Sequence, residues 1–216
     1  MDYKKITIEE FIEVTAGKDP VPGGGSVSAL AGTLAASLGK MVTGLTIGRK
    51  KYVDVQADME AMVPVFTDAI ASLLQAIADD ADAYDQVFNA YKLPKETDQE
   101  KALRSEAIQK GLTHAARVPL FVAERCVSIM PCIKEVAEKG NQNAITDACV
   151  AMMCARTGAL GAILNCRINI SSIKDADVAG ELASRCDHLQ QQAVSMEQEL
   201  LNSVKICATT HPMYTR

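Results

Sequence analysis

The chain has 216 residues, of which 48% are hydrophobic, 23% charged and only 4% aromatic, with no tryptophan. That length suffices for one self-supporting core, and the balance excludes a disordered chain or a small disulfide-stapled scaffold. A net charge of -5 disfavours a protein that lives on duplex phosphates, although local basic clusters can still hold a small polyanion.

The N-terminal Met1-Asp2-Tyr3-Lys4-Lys5 has no apolar run behind it and does not read as a signal peptide. Thr7-Ile8-Glu9-Glu10 is a capping box that opens a first short helix, closed by Gly17. A loop from Lys18 to Gly25 holds two prolines and three glycines, and Ser26 is placed to cap the next helix, which runs toward Gly48. That segment is long enough to cross a bilayer and carries a single charge, Lys40. Its many Gly, Ala, Ser and Thr residues instead fit a tightly packed core helix, and no membrane partner is expected. Small residues recur along it as Ser28, Gly32 and Ala36, with Ala31, Ala35 and Gly39 beside them. Such a stripe suits either close packing within the chain or a subunit contact.

From Asp54 to Tyr91 apolar residues recur at three- and four-residue spacing, and Pro64 is expected to kink or break the helix. Leu93-Pro94-Lys95 makes a turn. Thr97-Asp98-Gln99-Glu100 is a second capping box, starting a helix toward Lys139 that Pro119 should bend or interrupt. Gly140-Asn141 ends it, and two helices follow, at 142–169 and 175–209. No alternating strand pattern or internal repeat appears. Residues 1–216 therefore read as a single all-α domain, an antiparallel bundle of long helices. The seven cysteines are odd in number and include no C-x-x-C, which argues against a disulfide framework and against a zinc site. They are expected to be reduced, buried and inert, as in a cytoplasmic protein.

Three constellations carry chemistry. Successive glycines, Gly23-Gly24-Gly25, leading into a helix start leave backbone N–H groups at its positive end. These can hold a carboxylate, a phosphate or a developing oxyanion, or the loop can simply be a sharp turn. Asp147, Ala151, Cys154, Gly158, Gly161, Asn165 and Asn169 share one helical face, polar at its ends and small between them. A close neighbour or an elongated ligand would need such a face; alternatively Asp147 only complements the helix N-terminus while the asparagines satisfy backbone groups. Asp79-Asp80-Ala81-Asp82 with Asp85 reads as a solvated acidic face. Asp80 and Tyr84 are nonetheless one turn apart and can share a pocket in which crowded carboxylates raise one another's pKa. His114, His188 and His211 show no metal-ligand spacing, so no metal is expected. Asp147 and Asn165 stand about 27 Å apart along an ideal helix, and Ser26 and Arg49 about 34 Å, so neither pair can touch one reacting carbon within a single subunit.

In this order the pieces resemble the cyclodeaminase/cyclohydrolase family of folate enzymes. The matching stretches are PGGGSVSAL at 22–30, LGKMVTGLTIGRKKY at 38–52, DADAY at 80–84, LPK at 93–95, VPL at 118–120, GNQNAITDA at 140–148 and GALGAILNCRINI at 158–170. They cover almost the whole chain, and the ordered set is far more specific than any member. The resemblance implies an all-helical homodimer or assembly of dimers that binds tetrahydrofolate derivatives near subunit contacts, with polyglutamylation left open. It implies no cofactor beyond that substrate. Carried over by position, Gly23, Gly24, Gly25, Ser26, Arg49, Asn141, Asp147, Asn165 and Asn169 match the family, as do Asp80 and Arg104; Lys40 has no assigned role.

The implied reaction is hydrolysis of 5,10-methenyltetrahydrofolate to 10-formyltetrahydrofolate. The alternative is cyclisation of formiminotetrahydrofolate with release of ammonia, and a remoter one is a non-catalytic folate-binding subunit. Both reactions need a base, an acid for a departing nitrogen and stabilisation of a cationic amidine-like carbon. Asp147 and Asp80 are the expected catalytic carboxylates, and Arg49 and Lys50 suit the acidic folate tail.

Overall fold

The computed structural model describes residues 2–204, which form six α-helices and no strand among the described residues. They are α1 (Ile8–Thr15), α2 (Gly24–Thr46), α3 (Gln56–Tyr91), α4 (Asp98–Lys139), α5 (Ile145–Ile170) and α6 (Ala176–Ser203). Short 3-10 segments, Lys50–Val55 and Gln142–Ala144, precede α3 and α5. Both capping boxes form: the Thr7 and Thr97 hydroxyls accept from the Glu10 and Glu100 amides, while those carboxylates accept from the threonine amides. Asp175 caps α6 through the amides of Asp177 and Val178. The expected end of the last helix near 209 lies outside the described residues.

Prolines interrupt less than their chemistry predicts. α3 runs through Pro64, and α4 through both Pro119 and Pro131. At Pro64 the missing N–H frees the Glu60 carbonyl, but both residues are exposed and water can take its place. Pro119 is buried, and the carbonyl it frees, that of Ala115, accepts instead from Asn169 Nδ2 of α5 at 3.0 Å. A tertiary hydrogen bond thus replaces the lost helical one and lets α4 continue.

α2 sits at the centre, packed against α3, α4 and α5. The start of α2 meets the last turns of α5, where Gly24 faces Asn165; the end of α2 meets the approach to α5, where Thr46 Oγ1 accepts from the Asn141 amide at 2.9 Å. Small residues permit this closeness. A β-carbon on Gly32 would fall 2.5 Å from Cys126 Sγ, and one on Gly158 would fall 2.8 Å from the Ser28 carbonyl oxygen and 3.0 Å from the Gly32 nitrogen. The small-residue stripe thus serves packing within the chain at Ser28, Gly32 and Gly39. Gly32→Ala is expected to destabilise the fold by about 1–3 kcal/mol through overpacking, read as a lower urea midpoint with unchanged m-value.

Cys126, wedged between these glycines, is fully buried, and desolvation pushes its thiol up to about 12, which makes it inert. Cys149, Cys166 and Cys186 are also buried, Cys132 and Cys154 half-buried, and all six are free; Cys207 lies outside the described residues. Two stretches, Lys50–Tyr91 and Gln142–Ile170, are long and apolar enough to cross a membrane by length and composition; α3 and α5, which they contain, both pack on α2.

Candidate functional site

The helix that Ser26 was expected to cap begins three residues earlier than that cap implies. Gly23 occupies the N-cap position in extended backbone, without a side-chain cap, and Gly24 and Gly25 form the first turn. Ser26 is fully buried inside that turn. The reason lies across the helix interface. A β-carbon on Gly25 would fall 2.5 Å from Cγ and 2.6 Å from Oδ2 of Asp80, so only glycine lets that carboxylate seat on the start of α2. Asp80 then supplies, from α3, the anion that a side-chain cap would otherwise bring to the positive helix end.

Four of the five buried hydroxyls on α2, those of Ser28, Thr33, Thr43 and Thr46, donate to the carbonyl four residues back. Ser26 does otherwise. Its Oγ points off the helix, 3.2 Å from the Ile77 carbonyl and 3.0 Å from Asp80 Oδ2. Burial raises the Asp80 pKa above its ordinary value, and hydrogen bonds from the Ser26 hydroxyl and amide pull only partly against it. Asp82 and Asp85 are exposed, as a solvated face requires, and Asp79 accepts from Gln75. Of this acidic cluster only Asp80 is held by α2.

Asn165 closes the other side of the glycine turn. Its side-chain oxygen lies 3.3 Å from where a β-carbon on Gly24 would stand, and its Nδ2 donates to the Gly161 carbonyl at 2.8 Å. Asn169 donates through Nδ2 to both Ala115 and Asn165 carbonyls. Both side-chain amides thus donate to backbone carbonyls. Gly24, Gly25, Ser26, Asp80, Asn165 and Asn169 therefore gather at one end of the bundle.

Arg49, Lys50, Asn141 and Asp147 gather at the other. Asn141 donates through Nδ2 to the Leu45 carbonyl at 3.1 Å, and its Oδ1 accepts from the Asn143 amide. The Gln142 amide donates to the Tyr52 hydroxyl. Asp147 is half-buried in the first turn of α5, whereas Arg49 and Lys50 are exposed just past α2. The two ends are separated by α2, 23 residues and about 34 Å long. Arg104 belongs to neither cluster directly: it donates twice to the Tyr91 carbonyl, at 3.3 and 3.1 Å, and its guanidinium lies over the Tyr91 ring. Among the described residues no three His, Cys, Asp or Glu side chains converge as a metal site requires.

Next to Asp80 the structure extends the expected Asp80–Tyr84 pair to residues not expected at the site, Phe88 and Lys92. Tyr84 and Phe88 are exposed on α3, near-parallel with ring centroids 6.2 Å apart, and the Lys92 ammonium stands 3.9 Å over the Phe88 ring. Their spacing from Asp80, four residues for Tyr84 and eight for Phe88, was readable; their exposure was not.

A family model described as formiminotransferase-cyclodeaminase matches residues 7–188. The chain belongs to that family. It is 40% identical over 199 residues to a methenyltetrahydrofolate cyclohydrolase from Methylorubrum extorquens, covering 92% of this chain and 96% of that protein. It is also 32% identical to a formimidoyltransferase-cyclodeaminase from Sus scrofa over 92% of this chain, which spans only 37% of that longer protein. The crystal structure of formiminotetrahydrofolate cyclodeaminase from Thermotoga maritima superposes with a TM-score of 0.82 at 26% identity, covering 91% of this chain and 94% of that one. That protein thus shares this fold.

Proposed function

We propose that this chain is a methenyltetrahydrofolate cyclohydrolase, converting 5,10-methenyltetrahydrofolate and water to 10-formyltetrahydrofolate. The observation that carries the chemistry is the Asp80 carboxylate, half-sheltered against the first turn of α2 with its pKa raised by burial. Such a group exchanges protons more readily near neutrality than an ordinary aspartate. Water attacks the methenyl carbon that bridges N5 and N10, and Asp80 takes its proton. The tetrahedral intermediate collapses as its hydroxyl releases a proton to solvent and the C–N5 bond breaks, the bonding pair going to N5; Asp80 gives N5 the proton it took. The cationic substrate carbon is drawn to the same carboxylate. The reaction consumes one water and releases one proton, with no change of oxidation state. The end-to-end match to a free-standing cyclohydrolase supports this direction.

The cyclodeaminase relatives favour a second activity at the same site. In it N10 attacks the N5-formimino carbon and ammonia leaves, with Asp80 protonating the departing nitrogen. Offering purified protein each folate, and following methenyl absorbance and ammonia in parallel, separates the readings. Methenyl loss without ammonia release supports the hydrolase. Turnover of neither substrate would reduce the protein to a folate-binding subunit.

The functional unit we propose is an antiparallel bundle paired into a homodimer, or an assembly of such dimers, working in the cytoplasm, where its free thiols stay reduced. Opposite ends of α2 touching opposite ends of α5 support the antiparallel arrangement. The pairing rests on the outer face of α2. Val27, Leu34, Met41 and Leu45 are exposed there, and with Ala31 and Leu38 they make a heptad-spaced apolar stripe. A two-fold through that stripe lays opposite helix ends side by side. It would bring Asp147 of the partner subunit, with Arg49, Lys50 and Asn141 of the partner subunit, to the Asp80 end. The test is complementation. Asp80→Asn and Asp147→Asn each abolish turnover alone, while co-expression of the two regains about a quarter of wild-type activity, because heterodimers hold one intact composite site. No recovery would place the two carboxylates in independent sites.

A further inference from the structure

Three of the nine aromatic residues in this chain fall within eight positions, Tyr84, Phe88 and Tyr91, and all three are exposed on α3 just beyond Asp80. In a chain so poor in aromatics, whose core takes in Phe11 and Phe66, this concentration of three lies on an open surface and outside the core. Asp80, Tyr84 and Phe88, with Lys92 at the C-cap, follow one another at four-residue steps, each one turn above the last, and wind gently along α3. α2 begins beside Ile77 and Asp80 and goes no further, so the face beyond Asp80 is left uncovered.

Resting on the cyclohydrolase reading, we propose that this ladder is the subsite for the aminobenzoyl-glutamate half of the folate. The reacting carbon lies at Asp80, the planar benzoyl ring packs on Tyr84 beside Phe88, and the glutamate carboxylates pair with Lys92, which the Phe88 face holds. Three observations converge on this occupant. The order of groups along the helix (carboxylate, flat rings, cation) matches the order of groups along the substrate: cationic carbon, flat ring, anion. The two rings are near-parallel, 16° apart, and present one consistent surface for stacking. Lys92 folds back so that its ammonium stands over Phe88, which places it about 12 Å from Asp80 along the helix axis. That is the scale of one aromatic ring plus a glutamyl arm. Arg104, anchored on the Tyr91 carbonyl and ring, holds the turn that follows and keeps the top of the ladder in place. The benzoyl ring thereby has a seat within the subunit that carries Asp80, whatever the second subunit adds to the pocket.

The probe is p-aminobenzoylglutamate, which carries the ring and the acid but no reacting carbon. Calorimetry reads its binding and steady-state kinetics its competition with methenyltetrahydrofolate. It is expected to bind wild-type protein and compete with the folate, and Phe88→Ala or Lys92→Ala should each weaken it about tenfold. Phe88→Tyr and Lys92→Arg should restore binding. In turnover, the alanine variants should raise KM more than they lower kcat, as loss of uniform binding requires. Because both side chains are exposed, circular dichroism and melting should stay near wild type. Fragment binding that is absent from the wild type, or equal in the wild type and the Phe88→Ala and Lys92→Ala variants, would overturn the ladder while leaving the cyclohydrolase reading standing. If wild-type protein turned over neither folate, that reading would fall instead, and calorimetry would still decide whether the ladder holds the fragment.

Discussion

Asp80→Asn is expected to abolish turnover while making the protein more stable at neutral pH. The loss should be on the order of a hundred- to ten-thousand-fold in kcat, the range for removing an acid/base group. The gain follows from linkage. Burial raises the folded-state pKa of Asp80 above the ordinary aspartate value of 3.8, so the folded state holds that proton more tightly than the unfolded chain does. Stability from this group is therefore fully present below 3.8 and is lost as pH rises through the folded pKa. At neutral pH the ionised, half-sheltered carboxylate opposes folding, and the neutral amide does not. Melting temperatures of the two proteins should differ most at neutral to alkaline pH, with the variant higher, and the advantage should shrink in acid. The activity profile of the wild type should carry the matching signature. Its kcat/KM should rise with pH through a midpoint above the ordinary aspartate value, because water attack needs the carboxylate ionised. A variant that kept most of its turnover, or that melted lower than wild type at neutral pH, would sink the assignment.

Gly25→Ala should be nearly as damaging to catalysis, by geometry instead of charge. The added methyl group would fall among the Asp80 carboxylate atoms, 2.5 Å from Cγ, so either Asp80 swings away or α2 and α3 separate. A displacement of about 1 Å at a reacting group costs on the order of a hundredfold in rate. Steady-state kinetics should show that fall in kcat with helix content by circular dichroism retained. Gly180→Ala is the control: a β-carbon there, in the second turn of α6, meets nothing within 4 Å. That change should leave turnover alone and stabilise the helix by about 0.5–1 kcal/mol. Equal rates for Gly25→Ala and wild type would mean that Asp80 does not need its seat on α2.

The two glycine substitutions also separate what a glycine-rich motif means. As a string of residues, Gly23-Gly24-Gly25-Ser26 reads as an anion-binding helix start. In the fold the anion is already in place, and it is the protein's own Asp80. The turn then works by positioning and tuning a carboxylate, with Asn165 on its other side.

Much of this protein is legible from local chemistry. Both capping boxes at Thr7 and Thr97, the helix stop at Gly140, the turn after Tyr91 and the all-helical character depend on residues three or four apart, whose interactions a linear pattern carries. The separation of the two ends follows from helix rise alone, so the distance between Asp147 and Asn165 was readable before any contact. What only the tertiary structure decided are the partners of groups that local rules leave open. Ser26 reads as a cap, yet it bonds Asp80 fifty-four residues away. Pro119 reads as a break, yet Asn169 of α5 takes the Ala115 carbonyl it frees. Asp80 is one aspartate in an acidic run, and only the approach of α2 distinguishes it from Asp82 and Asp85. The physical reason is the same in each case. A hydrogen-bonding group left unpaired by its own helix is satisfied by whichever element packs against it, and sequence spacing does not encode that neighbour.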